Sequence, residues 1–305
     1  MTNKGVIPFK FTDTLSETVE IGDFSWNIDR RKCPSIITTE SERCDEIVCA
    51  LKESPTVLWN CLAFGTLAAV NKKDGVQCSY EGWNLLHGNN QVKCRVRHKK
   101  EKVSQALAAV GQPNAKGVNG EVHVEIVDSF IADLTDPKNA LIEDPDDAAR
   151  LKVGKHELWL PKKVLSANSP FFSGLFKNNF KEGTDGVYDL KGLGVLKLDV
   201  FLQFVGIVHG IDMPIGRKSV EGLLHLADLF QCKVVLRRCE DYLRKSQKLT
   251  SSKKLLLGDR FNLNGLLIET VKKISVEEWK KLHLPSGVSP LLASLMAQKF
   301  RLMDV

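Results

Sequence analysis

The stretch LPKKVLSANSPFFSGLFKNNFKE, residues 160–182, constrains the fold more than any other part of the sequence. Pro161 and Pro170 each stand where a helix would begin, and Ser169 is placed to cap the second of these helices. The apolar residues that follow at helical spacing are Phe171, Phe172, Leu175 and Phe176. A helix this apolar must be buried, and each fully buried phenylalanine contributes about 1.5–3 kcal/mol. The segment therefore predicts a helical core that contains Phe171, Phe172 and Phe176.

The residues on either side of this segment extend it into a mixed α/β domain. Before it, residues 151–160 alternate apolar and polar side chains around Gly154-Lys155, which is typical of a β-hairpin. After it, residues 187–190 predict a short strand. Apolar residues at helical spacing then predict helices at 198–209, at 219–231 and from about 233.

The N-terminal part of the chain has the pattern of a β-rich domain. Phe24, Trp26 and Ile28 alternate with polar residues, and so do residues 122–127, which is the period of a half-buried strand. Residues 58–70 are apolar on both faces and suit either two short strands or one bent strand. Residues 99–116 suit either a helical turn or a loop. Many short strands separated by turn residues indicate a β-sandwich.

Length and composition fit a multi-domain α+β protein. A chain of 305 residues is too long for one ordinary core, and 43% hydrophobic with 26% charged residues is typical of soluble globular proteins. The predicted parts are a sandwich at 1–130, an acidic linker at 131–146, an α/β domain at 147–246 and a helical extension at 247–305. In the extension, Ser275 with Glu278 predicts a capping box.

The sequence also limits the compartment and the metal chemistry. No apolar run approaches the ~20 residues that cross a bilayer, and the N-terminus lacks a secretory signal, so cytoplasm or nucleus is expected. The cysteines are expected to be reduced and mostly buried. A zinc site from Cys44, Cys49 and a distant histidine is disfavoured by the spacing. No cofactor is predicted.

The second half of the chain resembles a BTB/POZ domain. The run DDAARLKVGKHELWLPKKVLSANSPFFSGLFKNNFKE, residues 146–182, is similar to the start of that family's domain, with Pro161 where a histidine is usual. LLHLADLFQCKVVLRRCEDYL, residues 223–243, resembles a later helical motif of the family, so the likeness covers about 100 residues. The positions that match the first motif are Asp147, Leu165, Ser169, Phe172, Leu175 and Phe176.

The N-terminal part resembles a MATH domain, an eight-stranded sandwich. The similar segments are IGDFSWNI (21–28), LWNCLAFGTLAAVN (58–71), EGWNLLH (81–87) and VNGEVHVEIVDSF (118–130). The order MATH then BTB is that of the MATH-BTB class, whose well-studied members are substrate adaptors of cullin-3 ubiquitin ligases. Residues 253–275 resemble the helical extension, the 3-box, that such adaptors carry.

This resemblance implies roles for four residues. Phe180-Lys181-Glu182 matches a hydrophobic-x-Glu motif, in which Phe180 would fill a pocket on cullin-3 and Glu182 would accept a hydrogen bond. The alternative is that Phe180 folds back on its own helix. Asp147 and Lys162 match a charged pair at the dimer interface, or are ordinary solvated charges.

The sandwich is then expected to read protein substrates in a shallow groove. The sequence does not identify the groove residues, and Phe64 and Trp83 are predicted to belong to the core rather than to the reading surface. Partners would be cullin-3, a second copy of the chain and protein substrates, with no membrane.

Two other functions remain open, while catalysis is not expected. The chain could be a dimeric BTB scaffold or transcriptional cofactor that is not linked to a ligase. Alternatively, the segment KCRVRHKKEK at 93–102, with six Lys/Arg against one Glu, could contact nucleic acid, although a solvated hairpin or loop is favoured. Phosphate-loop, nucleophile-elbow and zinc-protease motifs are missing from the sequence, so no catalytic residue is predicted.

Overall fold

A computed structural model shows a β-rich part, then a mixed α/β part, then helices, which confirms the predicted fold class. The chain divides into two compact units, Met1–Ala140 with Ile211–Pro214, and Leu141–Gly210 with Ile215–Val305. The structure describes residues 3–30, 42–51, 55–89, 94–112, 118–177, 186–190, 197–247, 249–282 and 287–303.

The first unit contains two four-stranded sheets, with strand orders β1-β8-β5-β6 and β2-β3-β4-β7. Side chains from both sheets pack into one buried cluster that includes Ile7, Trp26, Ile47 and Val122, as the period-2 pattern predicts for a sandwich. The elements are β1 (Lys4–Lys10), β2 (Val19–Ile21), β3 (Phe24–Ile28), β4 (Glu42–Leu51), β5 (Val57–Asn71), β6 (Val76–Gly88), β7 (Cys94–Lys99), α1 (Lys100–Ala109) and β8 (Asn119–Asp133).

In this unit, β5 and α1 settle two alternatives that the sequence left open, and β8 extends beyond its expected end. β5 is one strand of 15 residues, with register irregularities at Leu62/Ala63 and Leu67/Ala68, rather than two short strands. α1 is a helix within 99–116, and it buries Val103, Ala106 and Leu107. β8 continues through Asp133, so its last three residues fall within the stretch assigned to the linker.

The second unit begins with the predicted hairpin. β9 (Ala148–Val153) and β10 (His156–Pro161) pair in antiparallel fashion, and Gly154 has the positive φ of 61° that the tight turn requires. β11 (Val187–Asp189) adds a parallel strand beside β9. The helices of this domain are α2 (Lys162–Asn168), α3 (Pro170–Lys177), α4 (Leu198–Val208), α5 (Val220–Leu229) and α6 (Lys233–Lys245).

The aromatic helix α3 forms the predicted core, but two of its three core phenylalanines are less buried than expected. Phe172 is fully buried, and its ring lies 4.8 Å from that of Phe230. Phe171 and Phe176 are only half-buried, because they lie at the edge of the aromatic cluster rather than at its centre. Ser169 caps α3 as predicted, since its hydroxyl accepts a hydrogen bond from the Phe172 N–H at 3.2 Å.

The helical extension has a small core of its own. Leu255, Leu267, Val271 and Leu292 are buried together, and Trp279 packs against them. The predicted capping box is present, because the Ser275 hydroxyl accepts from the Glu278 N–H and the Glu278 carboxylate accepts from the Ser275 N–H. The helices are α7 (Ser251–Arg260), α8 (Asn264–Lys273), α9 (Val276–Lys280) and α10 (Pro290–Met303).

The cysteines whose side chains the structure describes are free thiols. Cys49, Cys61, Cys232 and Cys239 are buried, and Cys78 is half-buried. Burial raises the pKa of Cys239 to about 12 and also raises the pKa of Cys49, so these thiols are poor nucleophiles. Among the described residues, no cluster of three metal-ligating side chains is present and no helix is long and apolar enough to span a membrane.

Candidate functional site

A groove on the outer face of the sheet β1-β8-β5-β6 is the main candidate site. Its volume is about 540 Å³, and its walls come from three adjacent strands. The lining residues are Lys4, Gly5 and Val6 of β1, Phe64, Gly65 and Thr66 of β5, and His123, Val124 and Glu125 of β8.

Strand register explains which side chains meet in the groove. Glu125 on the central strand β8 lies between Lys4 on β1 and Phe64 on β5. Two residues away on β8, His123 lies between Val6 on β1 and Thr66 on β5. Since alternate residues of a strand share a face, these two rows form one continuous outward surface.

Backbone forms part of the floor of the groove at Gly65. A Cβ atom at this position would lie 1.8 Å from the carbonyl oxygen of His123 and 2.8 Å from the ring of Trp83. Only glycine fits there, so β5 approaches both β8 and the inner Trp83 closely.

Apolar side chains are exposed around this floor. Phe64 is 45% exposed, Val6 39% and Leu62 40%. Large apolar residues that cluster on one face of a sheet mark an interaction surface more often than scattered ones do.

The prediction that Phe64 belongs to the core is therefore wrong, whereas Trp83 is buried at 7% exposure as expected. The cause is the alternation of inward and outward side chains along β5. Ala63 and Leu67 point into the sandwich at 1% and 0% exposure, which leaves Phe64 on the outer face. The apolar run 58–70 does not reveal its inner face, and the signal that could have done so is the strict alternation of the neighbouring β8.

One exposed ion pair and two other polar contacts lie at the groove. The Lys4 ammonium lies 2.9 Å from the Glu125 carboxylate, and the His123 imidazole lies 3.4 Å from Glu121. The Gln77 amide donates to Glu121 at 3.4 Å. Such surface pairs contribute about 0–1 kcal/mol each, so a ligand can displace them at little cost.

In the second unit, Asp147 and Lys162 lie at the start of α2 but do not face each other as an ion pair. The Asp147 carboxylate accepts from the backbone N–H of Lys163 at 3.0 Å, and the Lys162 ammonium donates to the carbonyl of Asp146 at 3.4 Å. The ion pair seen here joins Lys163 and Asp144 at 3.1 Å. A hydrogen bond from the backbone N–H of Asp146, and then the Lys163 ammonium, hold the pKa of Asp144 below its usual range.

The resemblance implies cullin binding by two residues that follow α3. Phe180 and Glu182 lie outside the described residues, which stop at Lys177 and resume at position 186.

The basic segment 93–102 is divided between two elements. Residues 94–99 form β7, and residues 100–102 begin α1, where Lys102 pairs with Glu81 at 3.0 Å. Lys93 lies outside the described residues. The exposed residues of this stretch include Arg97, Lys99 and Lys100.

The described residues thus form a β-sandwich with an exposed groove, followed by a mixed α/β domain and helices. The family model for the BTB/POZ domain matches residues 148–247. The resemblance to the MATH-BTB family is confirmed by this match together with the similar proteins that follow.

Two of the relatives described next carry both domain names. The chain is 28% identical over 142 residues to BTB and MATH domain-containing protein 38 of Caenorhabditis elegans, which covers 43% of this chain and 36% of that protein. It is 27% identical over 157 residues to protein 36 of the same series and organism, covering 52% of this chain and 45% of that protein. Kelch-like protein 40 of Xenopus tropicalis is 27% identical over 101 residues, 33% of this chain and 16% of that protein.

The matches cover only part of each relative. The chain spans less than half the length of each of these relatives. The BTB/POZ domain and the names of the relatives support a protein-interaction adaptor.

Proposed function

We propose that the chain is a substrate adaptor, in which the groove of the sandwich reads protein substrates and the BTB/POZ domain recruits a cullin-3 ubiquitin ligase. The observation that carries this proposal is the exposed Phe64 in a groove on the outer sheet face, in a chain whose residues 148–247 match the BTB/POZ domain. The names of the relatives point to adaptors rather than enzymes, so ubiquitin transfer is assigned to the other subunits.

The groove suits an extended peptide better than a small molecule. It is a shallow surface that lies along three strands, and an extended segment presents alternate side chains at the same ~6.6–6.8 Å spacing as the strands below it. An aromatic ring at the centre of a recognition surface, surrounded by polar side chains, is the usual arrangement of a binding hot spot. Phe64, flanked by Thr66 and Glu125, has that arrangement.

The ligase-binding role is assigned to the segment that follows α3. Phe180 would insert into a pocket on cullin-3, and Glu182 would accept a hydrogen bond at its edge. The same domain would form a twofold dimer near Asp147 and Lys162, where α2 begins. Its acidic turn holds Asp144, Asp146 and Asp147 close to the lysines at the start of this helix.

Binding to purified cullin-3 tests the ligase role. Wild-type chain is expected to bind at micromolar concentration or tighter, and Phe180→Ala combined with Glu182→Ala is expected to weaken that binding at least tenfold. Phe64→Ala is the matched control, because it removes an exposed aromatic ring from the other unit and should leave cullin binding unchanged. Wild-type chain that ignores cullin-3 at these concentrations would refute the ligase role.

The alternative is a dimeric BTB scaffold with no ligase. It is favoured by the fact that the BTB/POZ match by itself suggests self-association and protein partners. Light scattering that gives a dimer, together with a negative cullin-3 binding assay, would select this alternative.

A further inference from the structure

The outward face of β8 carries most of the acidic groups of the groove region. Glu121, His123 and Glu125 alternate along this face, and Asp128 follows opposite Leu62 after the irregularity in register. This central strand thus presents three carboxylates between the apolar side chains of β1 and β5. Among the described strand residues of this sheet, the lysines on the same face are Lys4 and Lys10 of the edge strand β1.

The three carboxylates on β8 are negative, whereas the formal net charge of the chain is +6. Glu125 lies in the same cross-strand row as Phe64, and Glu121 lies further along β8. A peptide that lies along the strands with an apolar side chain against Phe64 therefore brings other side chains close to both carboxylates. The two carboxylates are four residues apart on β8, about 13 Å, which equals four residues of an extended ligand. Lysine or arginine at those ligand positions would be attracted, whereas a carboxylate or phosphate would be repelled.

The groove already contains a competitor for such a cation. The Lys4 side chain, 72% exposed, lies 2.9 Å from Glu125 at the edge of the sheet. Because an exposed pair of this kind contributes little free energy, a ligand cation can replace Lys4 at Glu125.

We propose that the groove selects extended segments in which an apolar or aromatic residue is flanked by lysine or arginine. This inference rests on the proposed reading function of the same groove, and it adds the chemical class of the segment that is read. Apolar contact with Phe64, Leu62 and Val6 supplies the anchor, and the carboxylates of β8 supply the selection for positive charge.

A random ten-residue peptide library displayed on phage tests this inference. The library is selected on the full wild-type chain, and peptides that also bind Phe64→Ala are discarded. Peptides that depend on Phe64 are expected to be enriched in Lys and Arg beside an aromatic or aliphatic residue. Their binding should weaken as the salt concentration rises, because exposed charges are screened.

Affinities of one selected peptide for charge variants then test the residues. Glu121→Gln and Glu125→Gln should each weaken binding roughly two- to fivefold, as expected for exposed charges. Lys4→Ala should strengthen binding by a similar factor, because it removes the competitor. Glu157→Gln is the matched control, since it removes an exposed carboxylate of the β9–β10 hairpin in the other unit and should have no effect.

The outcomes separate the two proposals. Peptides that depend on Phe64 but carry acidic residues, or show no enrichment in basic ones, would overturn the charge selection and leave the reading function standing. A selection that yields no peptide dependent on Phe64 would overturn both proposals at this surface.

Discussion

Phe172 and Phe64, one from each unit, have opposite exposures, and the difference separates a residue that stabilises the fold from one that is available for contact. Phe172 on α3 is fully buried in a cluster of aromatic rings, whereas Phe64 on β5 is 45% exposed in a groove. The first residue stabilises the fold of the BTB/POZ domain. The second contributes little to the core of the sandwich, and its exposure leaves it available for the contact proposed above.

Replacing both residues by alanine gives the largest expected contrast. Phe172→Ala should lower the free energy of unfolding by about 3–5 kcal/mol, because it removes a fully buried ring and leaves a cavity. Phe64→Ala should change it by no more than about 0.5 kcal/mol. Chemical denaturation followed by circular dichroism measures both. Equal losses for the two variants would show that Phe64 is a core residue after all.

Gly65→Ala tests the backbone floor beneath Phe64. The added Cβ would collide with the carbonyl of His123, so we expect a loss of about 1–3 kcal/mol from overpacking. Gly82→Ala is the matched control on the neighbouring strand, where the nearest atom to an added Cβ lies at 3.9 Å. Thermal unfolding of the two variants measures the difference, and a Gly65→Ala protein as stable as Gly82→Ala would contradict the close approach of β5 and β8.

Ser169→Ala tests how the aromatic core is connected to the helix that carries it. The buried hydroxyl accepts from the Phe172 N–H and donates to the Phe230 carbonyl at 2.5 Å, so its loss leaves two buried backbone groups without this partner. A loss of about 1–2 kcal/mol is expected in denaturation experiments. Ser166→Ala on the preceding helix should cost less than about 0.5 kcal/mol, and a similar cost for both variants would refute the role of the cap.

A pH titration of stability gives the smallest expected effect. Burial lowers the pKa of His209 at the end of α4, while a contact of its Nδ1 atom with the Val205 carbonyl at 2.8 Å opposes this shift. The unfolded chain, with a histidine pKa near 6.5, therefore binds a proton before the folded chain does. Stability should be complete above about pH 6.5 and should fall below it, by at most about 1.4 kcal/mol per pH unit.

The variant His209→Gln should flatten this part of the stability profile. His156→Gln, on the β9–β10 hairpin, should retain it. If the acid-induced loss persists unchanged in His209→Gln, another group is responsible.

The sequence predicted the helical part of the molecule better than it predicted the groove. A stripe such as that of α3 shows which face of a helix turns inward because helical spacing separates its two faces, and the capping residues Ser169 and Ser275 mark where helices begin. The hairpin at Gly154 followed from turn chemistry in the same way.

The groove could not be predicted because β5 is apolar on both faces. Its local sequence does not show whether Phe64 or Ala63 points inward, and two irregularities in register also disturb the alternation. Which strands lie next to each other is set by tertiary pairing, so the rows that join Lys4 with Glu125, and His123 with Thr66, were not visible in the chain order.

The most direct test of the adaptor proposal is quantitative mass spectrometry of the proteins that co-purify with wild-type chain and with Phe64→Ala. We expect the variant to lose a set of client proteins while it retains cullin-3 at the wild-type level. Identical client sets for the two proteins, or the absence of cullin-3 from both, would contradict the account.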